Sequence, residues 1–172
     1  MKLIVIILFY FHFLSSSHAE NNIIFLDVMY IYNNATAIKN IENEYVKKNK
    51  LIQDEISKYE IEIRSEEKKL ENKKNIISED ILKIELLKLE TKVNKYNKII
   101  SEKREQLANM KKNINTEFYK QLTNILSNYA NKNSIDMIIN KEQILVGKTE
   151  LDSTKEILNE FNNNIKTLSI NE

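Results

Sequence analysis

The sequence predicts a mainly α protein with a small β body, in which a long antiparallel helical hairpin is inserted between the first strand and a C-terminal strand–strand–helix unit. Three observations carry this. The chain of 172 residues contains Gly 1 and Pro 0, whereas the many turns of a β-rich fold usually need both. From Ile38 to Tyr129 apolar residues recur mostly at threes and fours, the spacing of one helix face. On either side of that stretch they form short runs of strand type.

The N-terminus comes first. Lys2 precedes LIVIILFYFHFL, which runs into SSSHA. The apolar run is shorter than the ~20 residues that cross a bilayer. With a charged start and small residues at Ser17 and Ala19 it reads as a secretory signal over residues 1–19, cleaved after Ala19. An uncleaved anchor is the alternative. His12 and His18 both lie in this segment, and Cys is 0, so the expected mature chain has neither. That removes the usual general base, the thiol nucleophile and the best metal ligands. No enzyme, cofactor or metal site is expected, and no glycine-rich loop offers nucleotide binding.

NIIFLDVMYIY, Asn22–Tyr32, is β-branched and aromatic and predicts a buried strand. Asn33 or Asn34 is expected to cap the first long helix. Its seam runs through Ile38, Ile41, Tyr45, Ile52, Ile56, Tyr59, Ile63, Leu70 and Ile77, with Glu66 and Lys73 as polar intrusions. The second helix has Leu82, Leu86, Leu89, Val93, Tyr96, Ile100, Leu107, Met110 and Ile114, interrupted by Lys103. Phe118, Leu122, Ile125 and Tyr129 continue it. Such sustained seams mean coiled coil. The polar intrusions are expected to leave the arm ends more pliable than the base.

A single rod is one possibility, since nothing in the composition breaks a helix. The phase favours two helices. Ile77 and Leu82 are five residues apart, which throws the seams out of register, and Ser78-Glu79-Asp80 offers a capping hydroxyl and two acids for a helix start. The result is a hairpin arm over residues 35–130 with its tip near 76–81, roughly 60–75 Å long at 1.5 Å per residue.

In the tail, IDMII (Ile135–Ile139) and QILVG (Gln143–Gly147) alternate as short strands joined by a hairpin-length link. LDSTKEILNEF (Leu151–Phe161) reads as a helix capped by Asp152 or Ser153. Residues 20–34 and 131–172 together form a β-rich body too small for a comfortable core of its own. Association would solve this. The candidate oligomerisation residues are Ile24, Leu26, Val28, Ile135, Met137, Ile139, Ile144, Val146, Ile157 and Phe161.

Net charge is +1 at pH 7, which argues against nucleic acid as a partner. Charge is unevenly spread, however. Between Lys68 and Arg104 eleven Lys/Arg face six acids. The basic outer arm offers Lys68, Lys69, Lys73, Lys74, Lys83, Lys88, Lys92, Lys95 and Lys98 as a diffuse site for acidic clients or lipid phosphates. A merely solvated coiled-coil face is the bland reading of the same lysines. Tyr45, Tyr59 and Tyr96 read first as seam packing and second as client contacts. Asp27 and Asp136 read as turn or strand-edge residues rather than a carboxylate pair. Asn34-Ala35-Thr36 matches a glycosylation acceptor, a short and common pattern.

The order of signal, IIFLDVMYI, IENEY, helical hairpin, and ANKNSIDMIINKEQILVGKTELDSTKEILNEFN resembles the Skp (OmpH-like) periplasmic chaperones. The likeness spans essentially the whole mature chain but is specific at its ends: Ile135, Asp136, Met137, Ile138 and Ile139, then Leu151, Asp152, Ser153 and Thr154. It implies a homotrimer of jellyfish shape, with three tentacles around a cavity. It also implies a periplasmic protein that holds unfolded outer-membrane β-barrel proteins without ATP, with anionic lipid or lipopolysaccharide as a further ligand class. The family's tentacles are often strongly basic, and this chain is nearly neutral overall. A structural or adhesive coiled-coil protein of the envelope, without chaperone activity, is the alternative.

Overall fold

The computed structural model describes residues 22–170. The expected signal segment and its cleavage point, with His12 and His18, lie outside the described residues. The elements are β1 (Ile23–Leu26), α1 (Val28–Asn34), α2 (Thr36–Lys73), α3 (Glu79–Asn133), β2 (Met137–Asn140), short 3-10 turns at Lys141–Gln143 and Thr149–Leu151, and α4 (Thr154–Asn164). The fold class read from the sequence stands: long helices, a small sheet, and a hairpin between its strands.

The two strands are parallel, with Ile23 opposite Met137 and Leu26 opposite Asn140. Parallel neighbours need a crossover, and here the crossover is the whole arm. At 1.5 Å per residue α2 and α3 are about 57 and 82 Å long. Ser78 opens α3, its hydroxyl accepting from the Ile81 N–H, with Glu79 and Asp80 in the positively polarised first turn. At the other end Ser134 takes the left-handed conformation (φ 53°). The Ile135 N–H then reaches back to the Ala130 carbonyl at 2.9 Å, the closure that usually falls to glycine.

The expected strand over Asn22–Tyr32 is only partly formed. It stops at Leu26, because the Asp27 carboxylate accepts from the Tyr30 N–H (2.7 Å) and starts α1. Burial of Ile31 then overrides the strand preference of Val28-Met29-Tyr30-Ile31-Tyr32. Neither Asn33 nor Asn34 caps the long helix. Both lie in α1, and the free Thr36 N–H of α2 is capped from α4 by the Asn162 side chain at 2.8 Å.

The expected strand at Gln143–Gly147 and its hairpin are also absent. Gln143 ends a 3-10 turn and the following residues form no strand. Leu145 and Val146 are 102% and 92% exposed. Gly147 is not needed for a positive φ; a side chain there would put its Cβ 2.9 Å from the Phe25 ring.

The main core sits where α1, α4 and the base of the arm meet. Leu26, Ile31, Ile38, Ile114, Phe118, Ile157 and Phe161 are all buried there. Phe118 of α3 meets Tyr32 edge-on (centroids 5.0 Å) and Phe161 at 5.5 Å. A smaller cluster of Ile52, Ile56 and Leu107 lies further up the arm. From residue 57 to residue 106 nothing is buried.

Candidate functional site

The body is tied together by the Leu151–Thr154 stretch. The Asp152 carboxylate accepts from the Thr154 N–H (3.0 Å), from the Thr154 hydroxyl and from Lys141 Nζ (2.7 Å). The buried Thr154 hydroxyl oxygen in turn accepts from the Asp27 N–H (2.9 Å), and the Ser153 N–H donates to the Phe25 carbonyl. One acid thus links the end of β1, the turn after β2 and the start of α4. Burial pushes the Asp152 carboxyl upward, but Lys141 and the Thr154 bonds outweigh it and hold it below its ordinary value. Ser153 is the residue before α4, yet its side chain makes no cap; Asp152 does the work. Asp136 closes the other end, accepting from the Asn22 N–H at 2.9 Å. Asp27 and Asp136 therefore have the structural roles expected of them.

The candidate oligomerisation residues divide into two sets. Ile24, Leu26, Ile157 and Phe161 are buried within this chain, with Ile157 and Phe161 fully enclosed. Val28, Ile135, Ile139 and Ile144 are half-buried, while Met137 and Val146 face outward. Val28, Ile135, Met137 and Ile139 line an apolar groove of about 360 Å³ against Leu126 and Ala130 of α3. Leu145, which the sequence reading passed over beside Val146, is the most exposed large apolar residue of the body.

On the arm, Lys68, Lys69, Lys73, Lys74, Lys83, Lys88, Lys95 and Lys98 are all exposed. Lys88 pairs with Glu85 (2.7 Å) and Lys98 reaches Glu102 (4.0 Å). Lys92 differs from the rest. It turns inward across the arm to Glu62 (2.6 Å) and Glu66, and these bonds raise its pKa. It is a strut between helices rather than a free anion ligand. The intrusion at Glu66 is therefore paired, and Lys103 is likewise held by Glu55 at 2.7 Å. Lys73 stands at the rim of a cleft of about 530 Å³ that opens between the helices near the tip, with Leu70, Ile77, Ile81 and Leu89.

Tyr59 and Tyr96 stack at 4.4 Å and so are seam residues. Tyr45 packs at the junction of the two apolar clusters. At the arm base the Tyr32 hydroxyl donates to Glu42 (2.6 Å), which also accepts from Lys111. Burial and the neighbouring carboxylate both raise the tyrosine pKa.

The seam differs from expectation near the tip. Leu86 is 51% exposed, while Glu85 takes the inward place. Ile76, Ile81, Ile84 and Leu87 are also exposed. The outer arm therefore presents apolar side chains between lysines. Among the described residues no helix is long and apolar enough to cross a membrane.

Residues 22–161 match the family described as outer membrane protein (OmpH-like). The chain belongs to the OmpH-like family. Its fold is similar to the crystal structure of a candidate outer-membrane chaperone (OmpH-like) from Caulobacter crescentus CB15. The TM-score is 0.79 and the identity 15%, with 90% of this chain and 91% of that chain covered. No curated protein sequence matches this chain.

Proposed function

We propose that this OmpH-like protein is an exported, ATP-independent holding chaperone of the periplasm, not an enzyme, whose clients are unfolded outer-membrane β-barrel proteins. The observation that carries the reading is the outer arm. Ile76, Ile81, Ile84 and Leu87 are exposed on it among Lys69, Lys73, Lys74, Lys83 and Lys88. Many weak apolar and charged contacts spread along a rod suit an unfolded chain, which has no fixed shape to match. The candidate chaperone role of the Caulobacter protein supports the same conclusion.

In this reading residues 35–130 are the client-holding tentacle, and residues 20–34 with 131–172 are the assembly body. Self-association is supported by the outward Leu145, Val146 and Met137; that the assembly is a trimer rests on the family resemblance alone. Large apolar side chains so exposed in a small body suit a subunit interface. The segment Gln143–Gly147, unpaired in one chain, would find its strand partner in another copy. The exposed lysines also suit anionic lipid or lipopolysaccharide as a secondary ligand.

The test is dilution of a urea-unfolded outer-membrane β-barrel protein into residues 20–172 while light scattering is followed. Suppression of aggregation at near-stoichiometric ratios, without nucleotide, is expected. Unchanged scattering would leave a coiled-coil envelope protein with no holding activity.

A further inference from the structure

The arm is held together by different chemistry along its length. Up to Ile56 and Leu107 its helices are joined by buried apolar residues. Beyond that point, over residues 57–106, no side chain is buried. Immediately above, where the apolar seam residues are at most half-buried, a polar ladder spans the helices. Glu55 of α2 pairs with Lys103 of α3 at 2.7 Å. Tyr59, whose hydroxyl donates to Glu55 (2.7 Å), stacks on Tyr96. The Tyr96 hydroxyl donates to Glu62 at 2.8 Å, and Lys92 is shared by Glu62 and Glu66. Lys92 also lies 5.7 Å from the Tyr96 ring centroid. Past Lys92 the distal cleft lies between the helices.

We propose that the Glu62–Lys92–Glu66 pairs, backed by Glu55–Lys103, form an ionic clasp that sets whether the outer arm is closed. The outer arm then opens as a unit of its own while the apolar base stays shut. Two physical facts lead there. Segments with little buried apolar surface open locally at free energies well below global unfolding. Ion pairs open to solvent are screened by salt, the Debye length falling from about 10 Å at 0.1 M to about 3 Å at 1 M; salt reaches the clasp through its acids, Glu62, Glu66 and Glu55, since Lys92 and Lys103 are themselves partly covered. The base also has one ion pair between its helices, Glu42–Lys111, but there it stands beside a buried apolar core that salt does not screen. Opening uncovers the inner faces of Leu70, Leu89 and Val93, so ionic strength adjusts both the width and the apolar surface of the arm. The sharing of Lys92 by two carboxylates makes it the keystone, since its loss unpairs both acids and leaves them as neighbours of like charge.

The experiment is hydrogen exchange read by mass spectrometry on residues 20–172, comparing peptides within 57–106 with peptides of the base around Ile114 and Phe118. In the unaltered protein, raising NaCl from 0.05 to 1 M should speed exchange in the outer segment by about tenfold and leave the base unchanged. Lys92→Met should show the faster outer exchange already at low salt, with little further response. The reversed clasp, Lys92→Glu with Glu62→Lys and Glu66→Lys, should restore slow exchange at low salt and the salt response. Outer exchange in Lys92→Met equal to that of the unaltered protein would overturn the proposal. So would equal acceleration of outer arm and base, because the arm would then open as one piece. Loss of slow exchange in the reversed clasp would also count against it, pointing to packing by the lysine stem rather than charge.

Discussion

Replacing Phe118 by alanine should be the most damaging single truncation in the arm. Phe118 is 0% exposed and is the one α3 ring that touches both Tyr32 of α1 and Phe161 of α4. Truncation removes on the order of 150 Å² of buried apolar surface, about 4 kcal/mol at ~25 cal/mol per Å². Large-to-small changes of this kind cost about 3–5 kcal/mol. Ile81→Ala at the tip is the matched control. Its side chain is 50% exposed, and such a site should cost no more than about 0.5 kcal/mol. The assay is urea unfolding followed by circular dichroism at one fixed protein concentration, since any self-association adds to apparent stability. If Phe118→Ala lost less than about 1 kcal/mol, or no more than Ile81→Ala, the core would not be where the structure puts it.

Three further outcomes are expected. Asp152→Asn should cost about 1–2 kcal/mol at neutral pH by weakening the Lys141 and Thr154 bonds. Because the folded carboxyl lies below its ordinary 3.8, this contribution is fully present above about pH 4–5 and disappears as pH falls through the depressed folded value. Urea midpoints of Asp152→Asn and the unaltered protein should converge in acid, and a constant gap would contradict the assignment. Gly147→Val should cost about 1–3 kcal/mol by pressing on the Phe25 ring, measurable as a lowered melting temperature; an unchanged one would mean the loop simply moves away. Leu145→Glu with Val146→Glu should leave the fold of the single chain within about 0.5 kcal/mol while abolishing self-association in sedimentation, and a retained oligomer would place the interface elsewhere.

The long-range architecture was legible because helices announce themselves locally. The five-residue step from Ile77 to Leu82, with Ser78-Glu79-Asp80, marks the turn that the structure places between Lys73 and Glu79. Features decided by distant contacts were not legible. Val28–Asn34 has strand-forming residues, and only the Asp27 cap and the pocket for Ile31 make it a helix. The alternation in Gln143–Gly147 describes an extended chain whether or not it has a partner, and the described residues of this chain supply none. Gly147 was expected to end a strand, but what it answers to is the ring of Phe25, far away in sequence.

The candidate site was legible in composition more than in geometry. The lysine-rich outer arm could be counted, yet Lys92 could not be set apart from Lys95 or Lys98. Its partner Glu62 is thirty residues away on the other helix. Leu86 was placed on the seam by spacing alone. A small phase drift turns it outward and brings Glu85 in, because an outer seam with no fully buried residue constrains the helix phase weakly.

Native mass spectrometry of residues 20–172, alone and with a urea-unfolded outer-membrane β-barrel protein diluted into it, tests holding and assembly together. A trimer that gains one client chain is expected. A monomer or dimer that leaves the client to aggregate would contradict the chaperone reading and leave only the OmpH-like architecture.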